Sequence, residues 1–337
     1  MKISVIVPCR NEKAYIEECI DAIYSSILVG SQELYVTIVD GLSDDGTREL
    51  ISDLKKKYNT LQLIDNKKQL TPYAFNLGIN SLKADFYQIV GARQILSPNY
   101  LSKSIEILSN NKSIWCVGGN VENVYLNEIG EIISKGMSTS FGMGLGNFRV
   151  LENSCFVDTV GTPMYPSWVF DKIGYFDEDL VRNQDDDYNF RVIKAGGKIW
   201  LETSIIIKYY VRATFKGLFR QFYQYGYWKV FVNTKHKTVT TMRQLVPPIF
   251  VLYVSSLSFA FLLPNPFDWI YFLGGFVYLV MLFYSSLKLI KKGNDFFLFI
   301  RTFLTLHFSY GLGYLHGILN FIILKRKPSQ KQMKLSR

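Results

Sequence analysis

Cysteine is scarce in this sequence. Only four cysteines occur among 337 residues, and their spacing does not fit a metal site. We expect Cys9, Cys19, Cys116 and Cys155 to be reduced, mostly buried thiols. We also expect no cleavable signal peptide, because the opening residues MKISVIVP have the pattern of a strand. We therefore expect no cysteine-bound metal, and we expect the N-terminal part to remain in the cytoplasm.

Two familiar patterns are missing as well. No internal repeat is apparent, and no GxGxxG fingerprint is present. The segment 138–147 does contain Gly142, Gly144 and Gly146, but no strand clearly leads into it. We interpret this segment as a flexible loop.

Charge and aromatic content, in contrast, are high. The net charge is +10, and 15% of the residues are aromatic. The aromatic residues are concentrated in the C-terminal half. Basic charge combined with late hydrophobicity favours an anionic membrane surface over nucleic acid as the partner.

Three apolar segments near the C-terminus have lengths typical of membrane spans. Residues 245–263 and 269–287 contain no charged side chain, and each run is about as long as a bilayer-spanning helix. The third segment, 296–324, is longer than a straight span requires and contains Arg301. We predict two or three spans within 244–325, with the last segment either a hairpin or re-entrant element or a single crossing. The basic tail, 326–337, should prefer the cytoplasm.

A basic and aromatic segment precedes these runs. Aromatic and aliphatic side chains interleave there with Lys216, Arg220 and Lys229. This pattern is typical of a helix that lies in a membrane interface. An amphipathic helix packed on the N-terminal domain would have the same pattern, so both interpretations of 212–243 stay open.

The first 211 residues alternate between short apolar runs and amphipathic helical patterns. This alternation predicts an α/β fold with a mostly parallel sheet and helices on both faces. The predicted strands are Lys2–Pro8, Val36–Val39, Leu61–Ile64, Asp85–Val90, Ile114–Val117 and Lys198–Leu201.

An acidic loop follows the second predicted strand, in the sequence VDGLSDDGT. Ligands of open α/β sheets collect at the carboxyl ends of the strands, which is where Asp40, Asp44 and Asp45 would lie. Three aspartates suit hydroxyl groups, base amides or a metal. Alternatively, Asp45 or Thr47 merely caps the helix that follows.

A second acidic cluster lies at the start of a later predicted helix. Asp185, Asp186 and Asp187 are adjacent, and three adjacent carboxylates repel one another. Such a cluster is best tolerated where proton or cation chemistry uses it. Because acidic residues also favour helix N-termini, one or two of them could be purely structural.

Several segments together resemble family 2 glycosyltransferases, most closely the membrane-bound enzymes of the succinoglycan-biosynthesis type. The segments are VIVPCRNE, VDGLSDDGT, AFNLGI and NQDDDYNFR. The resemblance implies a GT-A catalytic domain over 1–211 that faces the cytoplasm at the cell (inner) membrane. It also implies inverting transfer from a nucleotide sugar, most often a UDP-sugar, to a membrane-held, polyprenyl-linked saccharide in polysaccharide biosynthesis. The alternatives are a polyprenyl-phosphate sugar synthase and a non-catalytic subunit of a polysaccharide assembly complex.

The resemblance also implies roles for individual residues. The residues that would line the nucleotide pocket are Pro8, Arg10, Glu12, Asp40 and Asp45, with Asp40 at the nucleobase. Asp185 falls where the family has its catalytic base, which removes a proton from the acceptor hydroxyl. The candidates on the acceptor side are Asp158, Asp186 and Arg191, and Arg191 could keep Asp185 or a neighbour ionised.

One departure from the family pattern concerns the metal. The family has Asp-x-Asp or Asp-x-His after the fourth strand, which binds Mg²⁺ or Mn²⁺, but this sequence has Gly91-Ala92-Arg93. We therefore hypothesise that Arg93 partly replaces the cation at the donor diphosphate. Alternatively, the metal persists on other carboxylates, or the enzyme is weak or inactive.

Overall fold

The computed structural model describes residues 1–144, 151–211, 214–293 and 295–328. The chain forms two compact units. The first contains Met1–Val124 and Leu151–Tyr210, and the second contains Tyr125–Val150 and Val211–Arg337. The predicted catalytic domain, 1–211, included residues 125–150, which the structure groups with the C-terminal helices.

Nine strands of the described part of the chain form one sheet. They are β1 (Lys2–Cys9), β2 (Glu33–Asp40), β3 (Leu61–Asp65), β4 (Phe86–Ile89), β5 (Gln94–Leu96), β6 (Ile114–Tyr125), β7 (Cys155–Val157), β8 (Gly161–Pro166) and β9 (Lys198–Val211). Their order is β3-β2-β1-β4-β8-β6-β9-β5, with β7 beside β9.

The helices lie between and after the strands. They are α1 (Ile16–Tyr24), α2 (Thr47–Lys57), α3 (Thr71–Ser81), α4 (Tyr100–Asn110), α5 (Glu128–Met137), α6 (Ser140–Met143), α7 (Ser167–Ile173), α8 (Gln184–Lys194), α9 (Phe215–His236), α10 (Val246–Ser256), α11 (Phe267–Leu289) and α12 (Asp295–Gly317). The short helix α6 falls in the segment predicted as a loop, and Gly146 lies outside the described residues.

The α/β fold with flanking helices is confirmed, although only part of the sheet is parallel. β1 to β4 pair in parallel, as the strand–helix alternation predicted. β8 pairs antiparallel with both β4 and β6, and β9 pairs antiparallel with β5 and β7. The sheet is therefore a parallel half joined to an antiparallel half.

The register of the parallel half defines the edge where a ligand would bind. Cys9 pairs with Asp40, and Asp40 pairs with Asp65, so these three strands end at one level. From β1 the chain continues to β2 and β3 on one side, whereas β4 lies on the other side of β1. The carboxyl ends of β1 and β4 thus flank the topological switch point, which is the usual ligand crevice of an open α/β sheet.

The second unit is helical, and its described residues include three segments that are long and apolar enough to cross a membrane. They are Met242–Leu262, Phe267–Leu289 and Asp295–Ile323. This finding, which rests on length and composition, confirms the predicted C-terminal membrane region. In the third segment 39% of the most apolar stretch is buried, against 17% and 11% in the other two.

The helix α9 accounts for much of this additional burial, because it packs closely against α12. A Cβ on Gly226 of α9 would lie 2.1 Å from the carbonyl oxygen of Tyr310. A Cβ on Gly313 of α12 would lie 2.0 Å from the carbonyl oxygen of Tyr223. Glycine therefore allows the two helix backbones to approach each other.

Candidate active site

The first predicted site residue, Asp40, is buried. Its side chain has no solvent exposure and accepts hydrogen bonds from the backbone N–H (2.9 Å) and the hydroxyl of Ser43. Arg48 Nη1 lies 2.7 Å from Asp40 Oδ2, and Arg48 Nη2 lies 2.8 Å from Asp65 Oδ1. The side chain of Asp40 has no exposed surface in this structure, and its contact with a nucleobase stays a prediction.

The loops after β1 and β2 are joined by a set of hydrogen bonds. Asn11 N–H donates to Ser43 Oγ at 2.8 Å, and Asn11 Nδ2 donates to Asp44 Oδ1 at 2.9 Å. Glu12 N–H donates to Thr47 Oγ1 at 3.0 Å. The two loops therefore form one surface at the carboxyl edge of the sheet.

Asp45 is the acceptor at the start of α2. It accepts hydrogen bonds from Thr47 N–H at 3.0 Å and from Lys13 N–H at 3.3 Å. Desolvation, the largest influence, raises the pKa of Asp45, but these hydrogen bonds together with that of the Thr47 hydroxyl leave it lowered. Asp45 thus accepts the first N–H of α2, whose N-cap residue is Gly46, and the predicted nucleotide contact stays a prediction.

Pro8 and Arg10 lie at the same edge. Both are half-buried. A Cβ on Gly41 would lie 3.2 Å from Cδ of Arg10, so the stem of Arg10 runs beside the turn that follows Asp40. Arg10 thereby packs against the acidic loop.

Three hydrogen bonds hold the turn after β4 in place. Gln94 Oε1 accepts hydrogen bonds from Gly91 N–H (2.6 Å) and from the hydroxyl of Thr162 (2.9 Å). Tyr210 N–H donates to the carbonyl of Arg93 at 3.2 Å. The backbone of Arg93 is therefore fixed at the end of β4.

The three aspartates at the start of α8 have different environments. Asp187 is buried and bound by Arg191 Nε at 2.9 Å. Arg191 also donates to the carbonyl oxygens of Ile173 and Tyr175, both at 2.8 Å. Asp185 is exposed and Asp186 is half-buried. Arg191 thus pairs with Asp187, two residues after Asp185, and Asp187 has a structural role.

Hydrogen bonds connect α8 to the edge of the sheet. Asn189, one turn after Asp185, donates to the hydroxyl of Thr159 at 3.0 Å. Thr159 follows Asp158 and precedes β8, whose Thr162 binds Gln94 in the turn after β4. The face of α8 that carries Asp185 is therefore tied to the segment of Asp158 and, through it, to the turn of Arg93.

Sequence reasoning missed several residues of this arrangement. Arg48 follows the acidic motif directly, which is the only signal that could have indicated it. Gln94 and Asn189 carry no such signal, because their partners are distant in the chain.

The family model for "Glycosyl transferase family 2" matches residues 4–162. Over 231 residues the chain is 30% identical to a Methanococcus voltae protein, the dolichyl N-acetyl-alpha-D-glucosaminyl phosphate 3-beta-D-2,3-diacetamido-2,3-dideoxy-beta-D-glucuronosyltransferase, covering 66% of this chain and 71% of that protein. It is 26% identical to the succinoglycan biosynthesis protein ExoA of Rhizobium meliloti over 262 residues, 77% of each chain.

A solved structure confirms the fold. The mannosyltransferase PcManGT from Pyrobaculum calidifontis, in complex with GDP-Man and Mn²⁺, superposes with a TM-score of 0.64 at 15% identity. The match covers 94% of this chain and 86% of that protein. The described residues of this chain contain no group of three or more His, Cys, Asp or Glu side chains placed to hold a metal.

Proposed function

Because the chain belongs to glycosyltransferase family 2, we propose that it transfers a sugar from a nucleotide donor to a lipid-linked saccharide with inversion at the anomeric carbon. The similarity to the Methanococcus voltae enzyme carries this proposal, since it extends over two-thirds of the chain and that enzyme's name specifies a dolichyl-phosphate-linked sugar as acceptor. The three apolar helices would keep the protein at the membrane that holds such an acceptor.

Asp185 is the proposed catalytic base. The acceptor oxygen attacks the anomeric carbon, the bond from that carbon to the donor phosphate breaks, and the hydroxyl proton passes to the Asp185 carboxylate. The nucleoside diphosphate leaves with the electrons of the broken bond. Asp185 is exposed in the first turn of α8, so an incoming alcohol can reach its carboxylate.

The donor nucleoside is proposed to lie along the carboxyl edge of β1 and β2. The half-buried Pro8 and Arg10 would line its pocket together with the loop of Asp40 and Asp45. A UDP-sugar is our first candidate for the donor. Asp158 and Asp186 would face the acceptor, because they border the segment that Asn189 ties to α8.

The exposed side chains in the first turns of α9 support a position of this helix near the membrane surface. Lys216 and Arg220 are exposed, and Phe219 between them is 42% exposed. An exposed aromatic ring between two cations suits the interface of an anionic bilayer. We place the first unit (Met1–Val124 and Leu151–Tyr210), called here the catalytic unit, on the cytoplasmic side, because Lys288, Lys291 and Lys292 favour a cytoplasmic turn between α11 and α12.

A transfer assay tests the proposal. Full-length protein in detergent is incubated with a panel of nucleotide sugars. The acceptors are polyprenyl-phosphate and polyprenyl-diphosphate saccharides and bare polyprenyl phosphate, and the lipid products are identified by mass spectrometry. We expect a saccharide lengthened by one residue. We expect Asp185→Asn to reduce kcat by about 10²–10⁴-fold, as for loss of a general base.

Asp53→Asn is the matched control, because Asp53 is exposed on α2 and its carboxylate pairs with Lys56 on the same helix at 2.8 Å. Its kcat should equal that of the parent protein. A single sugar on a bare polyprenyl phosphate would instead identify a polyprenyl-phosphate sugar synthase. Unchanged polysaccharide output in cells that carry Asp185→Asn would indicate a non-catalytic subunit.

A further inference from the structure

Arg93 and Glu12 form an ion pair across the switch point of the sheet. Glu12 follows β1 and Arg93 follows β4, which are the two strands that flank this crevice. Arg93 Nε lies 2.6 Å from Glu12 Oε2. The pair therefore lies where a phosphate-bearing ligand of an α/β sheet is usually held.

The guanidinium of Arg93 is held in place by its neighbours, but only one of its N–H groups donates a hydrogen bond to a described residue. Its carbon lies 5.0 Å from the ring centroid of Tyr15, so the cation stacks on an aromatic face. Among the described residues, its one hydrogen bond is the bond from Nε to Glu12. The two terminal nitrogens carry four further N–H donors, and the side chain is 29% exposed. An anion can therefore reach the terminal edge of the fork.

The same position does not suit a divalent metal. Mg²⁺ and Mn²⁺ require oxygen ligands, whereas Gly91 offers no side chain and Ala92 is a buried methyl group. Glu12 is the carboxylate at this point, and it is already neutralised by a cation at 2.6 Å. A second positive charge would be repelled by Arg93. The donor set therefore does not fit the metal that is bound in the mannosyltransferase structure.

We propose that Arg93, positioned by Glu12 and Tyr15, binds the diphosphate of the donor nucleotide and makes this binding independent of a divalent cation. The inference rests on the proposed function. The guanidinium fork matches two phosphate oxygens, so its terminal nitrogens bind them while Nε stays on Glu12. The negative charge that develops on the leaving diphosphate is then stabilised by a fixed cation that is already in place.

Nucleotide binding tests this proposal separately from sugar transfer. The full-length protein in detergent is treated with EDTA, and the Kd of UDP and GDP is measured by calorimetry with and without added Mn²⁺. We expect one of the two nucleoside diphosphates to bind, with the same Kd in EDTA as in added Mn²⁺. We expect Arg93→Ala to weaken its binding by roughly 10- to 100-fold, as for loss of charged hydrogen bonds.

Three comparisons distinguish direct phosphate binding from a structural effect. The monophosphate, UMP or GMP, lacks the outer phosphate, so its Kd should change much less in Arg93→Ala. Arg93→Lys keeps the charge but loses the fork, so its Kd for the diphosphate should be intermediate. Lys103→Ala removes a surface cation on α4 that pairs with Glu106, and its Kd should not change.

Three results would overturn the role of Arg93. They are loss of diphosphate binding in EDTA with recovery in Mn²⁺, an Arg93→Ala protein with parental affinity, and an equal loss of monophosphate and diphosphate binding. A parent protein that binds neither diphosphate with or without Mn²⁺ would contradict the proposed function itself.

Discussion

The contact between α9 and α12 gives a quantitative prediction for Gly313→Ala. A Cβ at this position would lie 2.0 Å from the carbonyl oxygen of Tyr223 and 2.8 Å from its carbonyl carbon. Real Cβ atoms essentially never approach another heavy atom closer than 3.0 Å. Because the obstructing atoms belong to a helix backbone, a side-chain rotation cannot relieve the clash, and the helices must separate locally by about 1 Å.

Two opposing effects determine how much Gly313→Ala changes the stability of the protein. Replacing glycine by alanine inside a helix normally stabilises it by about 0.5–1 kcal/mol. Overpacking of a close contact costs about 1–3 kcal/mol. At roughly 2–4 °C per kcal/mol for a chain of a few hundred residues, we expect Gly313→Ala to lower the apparent Tm by about 5 °C.

Gly275→Ala is the matched control. Gly275 lies within α11, and a Cβ there would lie 3.4 Å from the nearest atom, the Tyr253 hydroxyl oxygen, which is ordinary contact. This variant should raise the apparent Tm by about 1–4 °C, because only the helix preference changes. Thermal scans of detergent-solubilised protein at one scan rate measure both shifts. If Gly313→Ala raised the Tm as Gly275→Ala does, the close approach of α9 and α12 would be wrong.

Three further predictions concern the catalytic unit. Arg48→Met should lower the free energy of unfolding of this unit by about 3 kcal/mol, because the fully buried Asp40 carboxylate loses its cation. A variant as thermally stable as the parent protein would contradict this prediction. Burial raises the pKa of the Cys19 thiol to about 12, so iodoacetamide at mildly alkaline pH should modify the half-buried Cys155 but not Cys19 in folded protein, as read by mass spectrometry. The pKa of Asp45 is lower in the folded protein than its ordinary value of 3.8. Ionised Asp45 therefore stabilises the fold at pH values above 3.8, and this stabilisation is lost as the pH falls through the folded pKa. Asp45→Asn should therefore be less stable than the parent at neutral pH, and melting curves recorded at decreasing pH should show the difference shrinking.

The sequence predicted the parallel half of the sheet well, because local patterns determine it. The strands β1 to β4 are short apolar runs, and α1 has its buried residues at Ile16, Cys19, Ile20 and Ile23, as their helical spacing indicated. The predicted membrane runs also coincide with apolar helices. Burial of a continuous apolar run or of one helix face leaves a clear pattern in the sequence.

The antiparallel half was predicted poorly. The strand β8 was not predicted, since GTPMYP contains two prolines and no alternation, although it lies between β4 and β6. The prediction ended β6 at Val117 because glycines follow. The structure extends the strand to Tyr125, and a Cβ on Gly118 would lie 2.5 Å from the carbonyl oxygen of Gly161. Here contacts between distant segments outweigh local preference.

The candidate site also combines features that the sequence indicates with contacts between distant segments that it does not. Sequence similarity indicated both acidic segments, but it could not show that Asp187 rather than Asp185 is buried with Arg191. It also could not show that Glu12 pairs with Arg93, because 81 residues separate them. Charge pairing across a fold depends on which loops meet, and only the three-dimensional structure shows this.

The grouping of residues 125–150 with the C-terminal helices limits how the enzyme can be divided. Ile132 and Ile133 of α5 are buried in clusters with Phe303 and Leu306 of α12. A fragment cut after residue 211 would retain α5 without that cover and expose its apolar face, which favours aggregation. A soluble version is better sought by removing the C-terminal helices and replacing residues 125–150 with a short glycine-serine connection.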